Sequence, residues 1–464
     1  MNFKRKLWWA QHRTDVYKYS TFILLFLIVT ISIIYFTYSK FSSSNEMTMY
    51  ETTVESFIKN DDFIASYIDG EWSNEIPGKN DGYIVDKIVC DNGAVGEWDN
   101  EEWGINIRNA TQKIKCSVYF KKALTILGKV IEDESQIATN DPDNNIRYVG
   151  AEPNNYVYFN CSNYSNQNDS TCEKWRIIGE FNNITKADGT KENLTKIIRN
   201  DSLGNFSWDY KQNGVGTSIS TYGSNDWTDS QLMMMLNPTD YLKSGYTIEN
   251  SVVKDSNSQA IYQNMGSYYN GASGCKPASI TSGSSFSCTS IDFTSTGLQN
   301  DLTRNAIESV VWNLGGANEY NSSVNGLASH WYGYERGFTI YSGHATTWIG
   351  KIGLMYPSDY GYATSGSSMQ NRTLCLSKEL YNWNSIADCY NNDYLYNSNL
   401  NQWTLTSRST SAYNIMNVYA LGNVLSTFPY YSNYSVRPTL YLKSSISISK
   451  GDGSSSNPYQ LKLN

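Results

Sequence analysis

Thr21-Phe-Ile-Leu-Leu-Phe-Leu-Ile-Val-Thr-Ile-Ser-Ile-Ile-Tyr-Phe-Thr-Tyr38 is the core of an uncharged stretch from Tyr19 to Ser39. At about 1.5 Å rise per residue, about 20 helical residues cross a hydrocarbon layer of about 30 Å. Lys4, Arg5, Lys6, Arg13 and Lys18 precede the run, against the single acid Asp15, and Glu46, Glu51, Glu55, Asp61 and Asp62 follow it. The positive-inside rule puts residues 1–18 in the cytoplasm, the anchor at 19–39 and everything after Lys40 outside the plasma membrane. A cleaved signal peptide has a shorter apolar core, about 7–15 residues, ending in small residues. This run is longer and ends Tyr35-Phe-Thr-Tyr-Ser-Lys40, so the reading is an uncleaved single-pass signal anchor.

The cysteines agree with an exterior location. All eight follow the anchor, in neighbouring couples: Cys90 and Cys116, Cys161 and Cys172, Cys275 and Cys288, Cys375 and Cys389. Their separations of 26, 11, 13 and 14 residues make four local disulfides the simplest of the many pairings eight cysteines allow. No C-x-x-C spacing of a zinc site occurs. Disulfides persist in oxidising compartments.

Charge and composition exclude some partners. Beyond the first 18 residues the chain has 31 basic and 43 acidic residues. That balance argues against nucleic acid, which requires clustered Lys and Arg. Only 17 % of residues are charged, so polarity rests on Asn, Ser, Thr and the 37 Tyr. This is a strand-and-loop composition. Tyr and Trp beside Asn and Ser also suit recognition surfaces, because they bury area at little entropic cost; a plain preference of Tyr for strands explains the same counts.

Along the chain, residues 40–81 read as a stalk, with one or two helical pieces over Met47–Ile68. Residues 82–120 read as a small β domain: Tyr83-Ile-Val-Asp-Lys-Ile-Val-Cys90 is strand-like, Asp91-Asn-Gly93 signals a turn and Lys113–Phe120 alternates. A unit of about 40 residues needs a staple, which Cys90 and Cys116 supply. The stripe Ala123, Leu124, Ile126, Leu127, Val130 and Ile131 predicts a linker helix over 121–139. Residues 140–464 read as one large ectodomain. Strands are expected at Ile146–Val149, Tyr156–Asn160, Trp175–Gly179, Lys196–Arg199, Trp348–Met355, Gln402–Leu405, Val418–Leu421, Val436–Leu442 and Tyr459–Leu463. Helices are expected at Ser230–Leu236 and Leu302–Trp312, and mostly loop over Gly214–Ser290.

Five blocks carry a resemblance: Trp175-Arg-Ile-Ile-Gly179, Asn225-Asp-Trp-Thr-Asp-Ser-Gln-Leu232 leading to Leu236-Asn-Pro238, Lys351-Ile-Gly-Leu-Met-Tyr-Pro-Ser-Asp359, Gln402-Trp-Thr-Leu-Thr406 and Val436-Arg-Pro-Thr-Leu-Tyr-Leu442. The series, over about residues 140–445, resembles an uncharacterised Firmicutes extracellular domain family. That family is similar to the C-type-lectin-like fold of formylglycine-generating (sulfatase-modifying) proteins. The resemblance implies an α+β, strand- and loop-rich, lectin-like large domain at the cell surface. The enzymatic form of the fold carries a cysteine pair beside a Gly-Gly-Ser-Trp-like strand. The corresponding Asn401-Gln-Trp-Thr-Leu405 has neither, and Cys375 and Cys389 lie earlier, so the resemblance does not extend to formylglycine chemistry.

No other catalytic motif stands out. His12 is placed in the tail, His330 and His344 stand alone, and H-E-x-x-H, G-x-S-x-G and P-loop patterns are absent. Glu308, Glu335 and Asp359 are acids without a sequence-defined partner. Asp141, Asp143, Asn145 and Glu152 match positions 1, 3, 5 and 12 of a calcium loop, but Ile146 stands where glycine is required, so an Asp-Pro turn is the reading and calcium only a weak alternative. No cofactor is expected.

The segment Ser329–Tyr362 is aromatic, polar and Gly-punctuated. Trp331, Tyr334, Glu335, Arg336, Asp359, Tyr360 and Tyr362 form the candidate ligand-binding set, since rings beside Asp and Arg stack on and hydrogen-bond a sugar or peptide. For Trp331, Tyr334, Tyr360 and Tyr362 core packing is an equal alternative; for Trp175, Trp312, Trp348 and Trp403 core is the reading. The sequence thus describes a single-pass surface protein whose ectodomain recognises a glycan, peptide or cell-wall ligand without turnover, as an adhesin does. The alternatives are a structural or assembly component that docks a protein partner, and an envelope enzyme.

Overall fold

The structure, a computed structural model, describes residues 63–463 apart from 79–82, 100–101, 123, 126–133, 210–222 and short stretches between 243 and 288. The expected tail, anchor and most of the stalk lie outside the described residues. Among the described residues no helix is long and apolar enough to cross a membrane. The protein is strand-rich, its helices are short, and three disulfides join Cys90 to Cys116, Cys161 to Cys172 and Cys375 to Cys389. Cys275 is disulfide-bonded too, and Cys288 lies outside the described residues.

The chain divides into two units, Met1–Lys121 and Lys122–Asn464. In the first, a sheet runs in the order Glu71–Ser73, Phe63–Ile68, Lys115–Lys122, Tyr83–Cys90, and Val95–Asp99 pairs with Gly104–Arg108. Phe63–Ile68 lies parallel to Lys115–Lys122, Ile64 opposite Cys116. The stalk and its helical pieces therefore do not extend to residue 81: the six residues are too few for periodicity to separate helix from strand, and a distant partner strand decides. The core of this unit is small. Ala94, Ile114 and Cys116 are buried, with Cys90, Ile105, Ile107 and Ala110 packed around them. Trp98 adds edge-to-face contacts with Trp103 and Phe120, each at 5.3 Å.

The second unit is organised by an antiparallel sheet of seven strands: β1 (Ile137–Ala138), β2 (Ile146–Tyr148), β3 (Tyr156–Phe159), β4 (Glu173–Thr185), β5 (Lys191–Arg199), β6 (Ile352–Gly353) and β7 (Thr439–Tyr441). The order is β6-β7-β5-β4-β2-β1, and β3 pairs with the start of β4. The linker helix expected over 121–139 is not formed by its described residues: Leu124–Thr125 is a strand pairing with Ser447–Lys450, and Ile137–Ala138 is β1. Helix 302–312 is shorter than expected, Asp301–Ala306, and Val310–Asn313 pairs instead with Thr347–Gly350. The strand expected at Val418–Leu421 sits earlier, at Ile415–Val418. Within Gly214–Ser290, Ser230 caps the helix Gln231–Leu236, and short antiparallel pairings such as Thr247–Glu249 with Val252–Lys254 replace loop. Trp175, Trp312, Trp348 and Trp403 are buried in one large core, as are Trp208, Trp227, Trp331 and Trp383.

Two helices complete the site: α1 (Ala328–Arg336) and α2 (Pro357–Ala363). Helix α1 buries Ala328, Trp331, Tyr332 and Glu335, a spacing of 3, 4 and 7 from the first, which is one helical face. Helix α2 starts with proline, whose fixed φ suits the first turn, and every one of its residues is buried.

Candidate functional site

One row of residues crosses the main sheet. Arg147 in β2 is opposite Gly179 in β4, Gly179 is opposite Lys196 in β5, and Lys196 is opposite Tyr441 in β7. Residues in such a row project from the same face. Gly179 permits a close approach of the β2 backbone; a Cβ there would stand 2.1 Å from the carbonyl oxygen of Ile146. Arg147 and Lys196 flank it in the row. Phe181, two residues further on the same face, packs its ring against both, 4.5 Å from the Arg147 guanidinium and 5.3 Å from Lys196 Nζ.

Asp359, in the first turn of α2, meets both cations. Arg147 Nη1 donates to Oδ1 at 2.9 Å, and Lys196 Nζ donates to Oδ2 at 2.5 Å. Oδ2 also accepts the Tyr356 backbone N–H at 2.9 Å, which ties the carboxylate to the start of its own helix. Arg147 Nε donates to Asp141 Oδ2 at 2.6 Å. All four charged side chains are at most 2 % exposed. Burial works against the charge of Arg147, yet Asp359 and Asp141 raise its pKa. Burial would raise the Asp359 carboxyl as well, but Lys196 and Arg147 outweigh it and hold it down at about 2. Burial pushes Lys196 down to about 8, against the pull of Asp359. Around Nζ stand the rings of Tyr356, Phe181, Trp312 and Tyr441, at 4.4, 5.3, 5.5 and 5.6 Å.

Glu335 lies beside this group on α1. It accepts the Ser358 backbone N–H at 2.9 Å and the Ser358 hydroxyl, and Arg336 Nη1 reaches it at 3.3 Å. Burial pushes its carboxyl up to about 7 in spite of Arg336. Glu180 in β4, hydrogen-bonded by the Thr195 hydroxyl, is likewise pushed up to about 7 by burial.

The four rings around Lys196 also line a cavity of about 180 Å³. Its remaining wall is mainly polar, with Ile184 and Val311 the apolar exceptions. It includes Asn145, Asn182, Asn183, Asn313, Asp143, Tyr332 and Arg336. Asn182 and Asn183 arrive there through a break in register between Phe181 and Ile184, with Asn183 in the left-handed region at φ 54°. Such bulges redirect side chains, and Asn tolerates that backbone better than most residues. Asn145 is fixed by donating to the Tyr332 hydroxyl at 2.9 Å and accepting from the Asn182 N–H at 2.7 Å. The Tyr332 hydroxyl donates to Asp143 at 2.5 Å. The Arg336 guanidinium lies over the Tyr332 ring at 3.3 Å, and its side chain keeps 22 % of its surface exposed. A second depression, of about 360 Å³, lies between Tyr341 and Arg408–Asn414. It draws mainly on one loop and has no buried charge behind it, so the first cavity is the better candidate.

The structure separates the sequence-derived candidates into three groups. Arg336 lines the cavity, and Glu335 and Asp359 lie beneath it, closed to solvent. Trp331 and Tyr360 have no exposed surface, and Tyr362 almost none, so they present no face for a ligand to stack on. Trp331 packs between Tyr320 and Tyr334, and Tyr360 packs on Trp383 with its hydroxyl donating to Gly422 O at 2.7 Å. Tyr334 is half-buried and donates to Asn325 O at 3.0 Å. The physical reason for Trp331 is the helical spacing of α1, which turns it inward, and for Tyr360 and Tyr362 the burial of the whole of α2. The four asparagines, Arg147 and Lys196 were not among the candidates. A signal for the asparagines existed in Asn182-Asn183, adjacent to a strand of mixed polarity; the cations have none, since their meeting depends on register.

The calcium-loop residues serve other partners. Asp141 Oδ1 accepts the backbone N–H of Asp143 and Asn145, as in a tight turn, and Glu152 lies 3.4 Å from Arg176. Among the described residues no cluster of three His, Cys, Asp or Glu stands ready for a metal ion. Comparison with protein-family models, curated proteins and solved structures finds no match for this chain.

Proposed function

We propose that this is a membrane-anchored cell-surface recognition protein, lectin-like in its large unit, that binds a small polar ring of glycan or cell-wall type without turnover. The observation that supports the reading is the composition of the cavity lining, in which four asparagines and one arginine stand together with a group of aromatic rings. Sugars require that combination, because their hydroxyls need bidirectional hydrogen-bonding groups and their C–H faces need rings. At about 180 Å³ the cavity holds one ring rather than a drug-sized molecule. The anchor expected at 19–39 would hold this cavity outside the cell. The test is binding of the ectodomain, residues 40–464, to an array of glycans and peptidoglycan fragments. Selective binding that falls at least about tenfold with Asn182→Ala or Arg336→Ala, equivalent to about 1.4 kcal/mol, supports the reading. Binding unaffected by both variants removes the cavity as the site. No binding to the array transfers the function to docking of a protein partner.

A further inference from the structure

We infer that Lys196 and Asp359 are joined in the mature protein by an amide bond between Lys196 Nζ and Asp359 Cγ. The observation is a nucleophile and an acyl group held together where water has no access. Nζ is 2.5 Å from Oδ2, and the two side chains are 0 and 1 % exposed. At that contact the nitrogen lies roughly 3–4 Å from the carboxyl carbon, close to the separation from which reacting atoms combine. Both partners are held on rigid elements. Lys196 is in the middle of β5 with a strand on either side, and Asp359 is tied to the Tyr356 N–H at the start of α2.

The surroundings favour the amide over the ion pair. An ammonium has three N–H donors. Among the described residues Asp359 Oδ2 is the one hydrogen-bond acceptor of Lys196, and the four rings take up the rest of its surroundings. A buried ion pair loses hydration on both partners, whereas an amide carries no net charge and one N–H.

The step balances within the pair. The ammonium proton crosses the contact to Oδ2, which leaves a neutral amine facing a carboxylic acid. The nitrogen lone pair adds to Cγ, and the developing charge on Oδ1 is held by Arg147 Nη1, which already donates to that atom at 2.9 Å. A second nitrogen proton moves to the Oδ2 hydroxyl. The Cγ–Oδ2 bond then breaks, water departs with the bonding pair, and the amide keeps Oδ1 as its carbonyl oxygen. No oxidant, reductant or external base enters. The product links two residues 163 apart in sequence, fastening the centre of the sheet to α2 in the way a long-range disulfide would.

Mass spectrometry of the full-length chain, denatured and with its disulfides reduced, tests this directly. The expected mass is lower than the sequence mass by one water, and proteolysis yields a branched peptide joining the Lys196 and Asp359 segments, with fragment ions from both arms. Lys196→Arg and Asp359→Ala each restore the lost water. An unmodified mass in folded wild-type protein, or a water loss that maps to other residues, overturns the proposal. The wild-type measurement decides the matter even if a variant fails to fold.

Discussion

The two units achieve stability by opposite means. The first has seven buried hydrophobic residues among those described, three of them clustered around the disulfide Cys90–Cys116. The second has a core of more than fifty buried hydrophobic residues and places four fully buried polar side chains, Arg147, Asp141, Lys196 and Asp359, against it. Small domains bury too little surface to be stable alone, so a covalent staple takes on part of the task. A large core tolerates buried charges if each has a partner, and the partners then fix a unique arrangement of the elements that carry them.

The largest effects are expected in the second unit. Arg147→Met leaves Asp141 and one oxygen of Asp359 facing an apolar side chain. Breaking a buried pair in this way costs about 3–5 kcal/mol. Trp331→Ala opens a cavity in the core and costs a similar ~3–5 kcal/mol. Urea unfolding, followed by hydrogen exchange resolved to the two units, measures both. A loss below about 1 kcal/mol for Arg147→Met would mean that the network is solvated, and the contrast between the units would collapse.

Next is the staple. Replacing Cys90 and Cys116 by Ser opens a loop with a separation of 26 residues and costs about 2–4 kcal/mol. Limited proteolysis is expected to cut residues 63–121 in this variant and leave 140–463 intact. Equal protection of both segments contradicts a dependence on the staple.

Titration separates the units further. Glu335 and Glu180 hold their protons to about pH 7 when folded, against an ordinary value of 4.5. Between those values the folded state binds more protons than the unfolded one, so stability falls as pH rises. Their contribution is complete below about 4.5 and lost by about 7, on the order of 3 kcal/mol for each. The second unit is thus expected to melt higher near pH 4.5 than at pH 7. A melting temperature that climbs steadily from pH 4.5 to 7 goes against buried, protonated glutamates.

The smallest effect belongs to the exposed Trp72 of the first unit, whose side chain stands 57 % free of contacts. Trp72→Ala is expected to change stability by no more than about 0.5 kcal/mol, against the large loss for Trp331→Ala. If the two tryptophans behave alike, the assignment of Trp331 to the core fails.

These contrasts show what a linear reading reaches. Cys161–Cys172 and Cys375–Cys389 close loops whose ends are near neighbours, and their pairing follows from spacing. The strands around Tyr156–Phe159 and Trp175–Gly179 follow from dense β-branched and aromatic residues. Helix α1 was legible in principle through Ala328, Trp331, Tyr332 and Glu335. Gly333 and the polar residues between them disguised the period, so for Trp331 core packing and ligand binding stood as equal readings.

The sequence by itself determined the strand-rich character, the local disulfides, the acidic balance beyond residue 18 and the presence of one apolar stretch long enough for an anchor. Each depends on composition or on residues close in the chain. Tertiary structure alone decided that Phe63–Ile68 joins the first sheet, that Trp331 and Tyr360 are core, and that Arg147, Lys196 and Asp359 meet beneath an asparagine-lined cavity. Those outcomes depend on strand register, where moving one residue turns a side chain to the other face, and on partners up to 212 positions apart. No local pattern encodes such a meeting. It is set by which strands pair, and by a glycine at position 179 that lets the backbone of β2 approach β4 closely.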